Sequence, residues 1–200
     1  MTFRTASASA FVAVLGLALA SLQAADTSRP LADTFAKKIA VINQHAQSGA
    51  TAARRTTLTE SELNSWFAFR AQPLLPAGVT QPKVTIVGGG KLLGSATVDL
   101  EAIGKSRTTG GSLDVWSYLG GRLPLSVTGI LHTKDGQGRF ELQAADISGV
   151  PVPKTLLQEL VSYYTRTAEK PQGVRLDDPF ALPASIKSIE VGQGQAVVVQ

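Results

Sequence analysis

Apolar and polar residues alternate along this chain with two different periods, and each switch of period marks an element. Leu31, Phe35, Ile39 and Ile42 recur at spacings of three and four with Asp33 near the start, which predicts an amphipathic helix over about 30–47. Residues 48–57 are small and polar and read as a linker. Thr59-Glu60-Ser61-Glu62 then forms a capping box, in which the Thr59 hydroxyl and the Glu62 carboxylate satisfy exposed backbone N–H groups. A second helix starts there, with Leu63, Trp66, Phe67 and Arg70 on one side, and ends before Pro73 or Pro76.

The period then shortens to two. Val84 and Ile86 alternate with Lys83 and Thr85, and Leu92, Ala96, Val98 and Leu100 alternate with Lys91, Ser95, Thr97, Asp99 and Glu101. Gly88-Gly89-Gly90 between these runs supplies positive φ for a tight reversal, so they form a hairpin. Residues 103–111 read as a loop, and 112–121, with Leu113, Val115, Trp116 and Leu119, fit a short helix or an edge segment. A second hairpin pairs Leu123, Leu125, Val127 and Leu131 with Phe140, Leu142 and Ala144 across Asp135-Gly136-Gln137-Gly138. A third helix, over about 152–167, carries Pro153 in its first turn and Leu156, Leu157, Leu160, Val161 and Tyr164 on one stripe. Ile186, Ile189 and Val191, a Gly192-Gln193-Gly194 turn and the run 196–199 form a closing hairpin paired inside a sheet.

Helices first, then hairpins, a helix and a last hairpin specify an α+β fold with an antiparallel sheet, since a parallel sheet needs alternating strands and helices. The apolar stripes of the helices at 59–72 and 152–167 are the candidates to cover one face of that sheet.

The first residues read differently. Arg4 in a short basic start, an apolar stretch over 10–20 and Ser21-Leu22-Gln23-Ala24 have the order of a cleavable secretory signal, with the mature chain beginning near Ala25. The apolar stretch is roughly half of the about 20 residues that span a bilayer. The expected organisation is a signal at 1–24, an N-terminal helix and linker at 25–57, and one domain at 58–200, in a periplasmic or secreted protein. The chain has no cysteine, which removes disulfides, thiolate metal sites and lipidation at a cysteine. A hydrophobic content of 44% can still build a core. Loss of the signal takes away only Arg4, so the formal charge falls from +4 to +3, and the longest basic runs are the pairs Lys37-Lys38 and Arg54-Arg55. That is a poor footprint for nucleic acid, and it leaves room for peripheral contact with a membrane or an envelope protein.

Candidate chemistry is sparse. His45 and His132 are the two histidines, no carboxylate or serine spacing links them, and no Gly-x-Ser-x-Gly elbow accompanies them. Gly88-Gly89-Gly90-Lys91 is followed by a strand, whereas a phosphate loop opens a helix. Asp177-Asp178 lacks the alternating oxygen ladder of a calcium loop, and Pro179 marks a turn there. Neither a catalytic residue nor a metal or cofactor is therefore expected, and the protein reads as a non-enzyme, with a serine hydrolase using His45 or His132 the least favoured reading. Trp66, Phe67 and Phe69 either pack a core or line a pocket, and the spacing of side chains cannot measure the unfilled volume that separates the two.

The ordered set of a leader, Leu58-Thr59-Glu60-Ser61-Glu62-Leu63-Asn64 opening a helix, two long hairpins, Val150-Pro151-Val152-Pro153 opening another helix, and a final Ile189-Glu190-Val191-Gly192-Gln193-Gly194 turn resembles small bacterial envelope proteins of the tubular lipid-binding (TULIP-like) type. The resemblance covers about residues 57–200. It implies a curved antiparallel sheet wrapped on a long helix, with a groove that binds a lipid or other apolar ligand non-covalently. Carried over by position, it nominates Trp66, Phe67, Leu157, Leu160, Val161 and Tyr164 from helices and Val98, Val127 and Phe140 from strands as lining residues. The absence of cysteine and the additional N-terminal helix depart from some similar proteins. The alternative expectation is an envelope protein-protein interaction module whose groove is filled by its own side chains.

Overall fold

The computed structural model describes residues 27–50, 52–99, 121–166 and 170–200. The expected leader, the loop at 103–111 and the ambiguous stretch at 112–120 lie outside the described residues. Helix α1 (Arg29–Gln47) is capped by Ser28, whose hydroxyl accepts from the Leu31 N–H, with Pro30 in the first turn. Strand β1 (Arg55–Thr59) follows, and α2 (Glu60–Phe69) opens on the capping box that the sequence specifies. The Thr59 hydroxyl accepts from the Glu62 N–H at 3.2 Å and the Glu62 carboxylate accepts from the Thr59 N–H at 2.9 Å. The helix stops at Phe69 and a 3₁₀ turn over Gln72–Leu74, containing Pro73, leads out of it.

Two antiparallel sheets make up the rest. The larger runs β2 (Val79–Gly88), β3 (Lys91–Asp99), β4 (Arg122–Lys134), β5 (Gln137–Ile147) and β6 (Val150–Pro151) in that order, with β7 (Phe180–Ala181) also pairing with β5. The smaller is β1-β9-β8, formed by β8 (Ser188–Gly192) and β9 (Gln195–Val199) with β1 on the outside. Helix α3 (Lys154–Tyr164) follows Pro153 and lies within the predicted 152–167. Both long hairpins form where expected. Gly89-Gly90 and Asp135-Gly136 each place two consecutive residues at positive φ, the twist that a two-residue hairpin turn requires.

Three expectations change. The polar stretch at 48–57 is linker only in part, because its last residues enter β1, which pairs from Arg55↔Val199 to Thr59↔Gln195. Polar residues in that strand are tolerated because it is an outer strand of its sheet. In β5 the alternation slips. A bulge at Gln143 (Thr128↔Ala144 followed by Gly129↔Leu142) turns Ala144 outward and buries Ala145 and Ile147 in its place.

The third change concerns α2. It does not lay an apolar stripe on the sheet, for its buried residues are Glu62, Asn64 and Ser65. It stands instead against the edge strand β2, whose outward backbone groups need partners. Asn64 bonds both groups of Val84 at 2.8 Å, the Glu60 carboxylate accepts from the Ile86 N–H at 2.7 Å, and the Gly194 N–H donates to the Ile86 carbonyl at 2.8 Å. Pro82 has no N–H to satisfy.

Two cores result. Ile42 of α1 packs with Leu182, Ile186 and Val198, joined by Leu58 and Ile189, so α1 is built onto the small sheet. Val98 and Ile147 form the other, with Val79, Leu123, Leu125, Val152 and Leu156 around them. No helix among the described residues is long and apolar enough to cross a membrane.

Candidate ligand groove

Side chains alternate across a strand, so register decides which residues share a face of the large sheet. Val98, Ala96, Gly94 and Leu92 stand opposite Leu123, Leu125, Val127 and Gly129. On the next strand Ile147, Ala145, Leu142 and Phe140 stand opposite Leu125, Val127, Gly129 and Leu131. The bulge at Gln143 keeps this row in phase, since without it Leu142 and Ala145 could not share a face. The face is apolar along its whole length.

Its two ends are closed differently. At one end α3 docks, with Leu156 and the preceding Val152 against Val98 and Ile147, and Leu157 is buried beside them in sequence. At the other end β8 crosses the tip of the β4-β5 hairpin. There the Thr133 hydroxyl accepts from the Ile189 N–H at 2.8 Å and donates to the Ile189 carbonyl at 3.0 Å. A cleft of about 550 Å³ opens there, bordered by Leu131, Gly138, Ile189 and Val191. Between the ends, Leu92, Val127, Leu131, Phe140 and Leu142 are only half-buried. The Phe140 ring lies over Gly129, where a Cβ would fall 2.4 Å from Phe140 Cζ.

The nine nominated residues fall into three places. Val98, Val127 and Phe140 belong to the apolar sheet face, Val98 within its closed end. Leu157, Leu160, Val161 and Tyr164 belong to α3, with Leu157 buried and Val161 half-buried; the side chains of Leu160 and Tyr164 lie outside the described residues. Trp66 and Phe67 belong to the junction of α1 and α2. There the Trp66 ring centroid is 5.7 Å from that of Phe35 and 5.6 Å from that of Phe67.

Of the polar groups that could do chemistry, His132 and Arg139 also border the cleft at the hairpin tip, and the others stand elsewhere. His132 Nε2 is 3.0 Å from a carboxylate oxygen of Glu141 on the outward face of the hairpin, with Arg139 3.9 Å from the same oxygen. This pairing escapes a reading that looks for local spacing, and the Asp135-Gly136 turn is the signal that locates it, because it sets His132 opposite Arg139. His45 Nε2 meets the Ala52 carbonyl at 3.2 Å. Asp177 is paired with Lys154 at 2.7 Å, and Asp178 with Arg175 at 3.7 Å. Among the described residues no three acidic or histidine side chains group as metal ligands.

Comparison with protein-family models, with characterised proteins and with solved structures finds no match for this chain.

Proposed function

We propose that the protein is an exported carrier or sensor that binds a lipid or other apolar ligand non-covalently between the large sheet and α3, in the manner of tubular lipid-binding proteins. In this reading the sheet curves around the helix and the ligand's hydrocarbon lies along the inward row. The observation that carries it is the run of half-buried apolar side chains, Leu92, Val127, Leu131, Phe140 and Leu142, beyond the point where α3 closes the face. A hydrocarbon chain that covers them contributes about 0.8 kcal/mol per buried methylene, so ten methylenes supply about 8 kcal/mol with no catalytic group.

Native mass spectrometry of the mature protein purified from its own envelope, followed by organic extraction, tests this. A reproducible stoichiometric lipid is the expected result. A clean ligand-free mass, unchanged after incubation with phospholipid, refutes it and favours the interaction module, for which exposed Phe69 at the end of α2 and exposed Leu74 in the turn after it are the supporting observation.

A further inference from the structure

The two basic pairs of the sequence meet in one cleft. Helix α1 presents Thr34, Lys37 and Lys38 at spacings that share a helix face, and the chain entering β1 presents Arg54, Arg55 and Thr56 opposite them. The cleft between them has a volume of about 430 Å³, within the range of small-molecule sites. Among the described residues no acidic side chain lines it.

The four cations differ in their commitments. Lys38 Nζ holds both Glu62 oxygens, at 2.7 and 2.8 Å, and the Thr57 carbonyl at 2.7 Å, so it forms a neutralised base that ties α1 to β1 and α2. Arg55 is neutralised by Glu190 in a two-pronged pair. Lys37 and Arg54 are exposed and have no ion-pair partner among the described residues. The cleft therefore carries two uncompensated positive charges, one a guanidinium fork and one an ammonium.

We propose that this cleft binds a phosphomonoester. Such a group carries about −1.5 to −2 charges at neutral pH, which matches the two free cations. Its oxygens accept the paired donors of Arg54 and the point charge of Lys37, and the Thr56 hydroxyl adds a neutral donor at the wall. A free small molecule and the headgroup of phosphatidic acid present the same chemistry. The site shares no residue with the apolar groove and stands independently of it.

Two probes of the purified mature chain distinguish the sources: glycerol phosphate, followed through backbone amide shifts at Lys37, Thr56 and Thr57, and sedimentation with phosphatidylcholine vesicles that contain or lack phosphatidic acid. The comparison is with a Lys37→Ala/Arg54→Ala variant, which keeps its fold because neither side chain is buried and the backbone pair between Arg54 and Gln200 is retained. Far-UV circular dichroism checks this. Removal of the two charges is expected to weaken binding about 30-fold, and the loss shrinks in high salt. Binding of glycerol phosphate assigns a free ligand; binding only to phosphatidic acid vesicles assigns the membrane headgroup. No response to either probe, or equal binding by the variant, overturns the proposal.

Discussion

Replacement of Asn64 by alanine tests the idea that α2 serves as the partner of an unpaired sheet edge. Asn64 is 3% exposed, its amide N–H donates to the Val84 carbonyl, and its amide oxygen accepts from the Val84 N–H, both at 2.8 Å. Alanine removes two hydrogen bonds at once, each worth about 1 kcal/mol net, and leaves two backbone groups facing a helix, at a further cost set by how well water reaches half-buried Val84. The expected loss is about 3 kcal/mol, a large share of the about 5–15 kcal/mol of a typical domain. At about 2–4 °C per kcal/mol for a chain of this size, that lowers Tm by about 6–12 °C. Urea unfolding followed by circular dichroism reads the loss as a shift of midpoint at constant slope. Asn64→Asp adds a check of mechanism. The carboxylate still accepts from the Val84 N–H but sets its other oxygen against the Val84 carbonyl, so burial and that carbonyl raise its folded-state pKa above the unfolded value. The donor, and the stability it contributes, is present below the unfolded pKa and is lost as pH rises through the folded pKa. The deficit of this variant against the parent must therefore narrow in acid. A loss below about 1 kcal/mol for alanine, or a deficit for Asp that ignores pH, refutes the edge-partner account.

Two other perturbations probe the sheet. Gly129→Ala places a Cβ 2.4 Å from Phe140 Cζ and 2.6 Å from the Glu141 carbonyl, and is expected to cost about 1–3 kcal/mol in thermal or urea unfolding; Phe140→Leu in the same chain recovers only part of it, because the clash with backbone remains. The hydrogen bond from Arg55 holds the Glu190 carboxyl below its ordinary range. That stabilisation is present above the unfolded carboxylate pKa and disappears as pH falls through the lowered folded value, so an NMR titration of Glu190 is expected to move up in Arg55→Gln, and an unchanged midpoint contradicts the pairing.

What could be seen in the sequence was what neighbouring residues decide among themselves. The capping box at Thr59 and Glu62 needs only residues three apart, and Gly89-Gly90 and Asp135-Gly136 fix their turns by backbone freedom at two positions, so helix starts and hairpin tips appear where predicted. The bulge at Gln143 leaves no such mark. One extra residue reverses every side chain beyond it, and neither Ala144 nor Ala145 announces which will be buried. Candidate lining residues depend on pairing in the same way, for Val127 and Phe140 share a face only once the hairpin register is known, and Ala145 joins them only once the bulge is.

The same reasoning explains why the roles of charged and polar residues are hard to read along the chain. Glu60, Glu62 and Asn64 look like the solvated side of a short helix, yet all three take partners from other elements: a strand edge for Glu60 and Asn64, and Lys38 of α1 for Glu62. A helix set against an edge strand is obliged to turn polar groups inward, because unpaired backbone there costs more than buried amide or carboxylate that bonds it. Lys37-Lys38 and Arg54-Arg55 are ordinary surface pairs along the chain, and become a cleft only because β1 pairs with β9 and α1 packs on the same small sheet. The placement of Lys38 and Arg55 in neutral pairs then leaves Lys37 and Arg54 as the two charges free to meet a ligand, so the electrostatic character of this cleft follows from tertiary pairing, although every residue in it was in plain view.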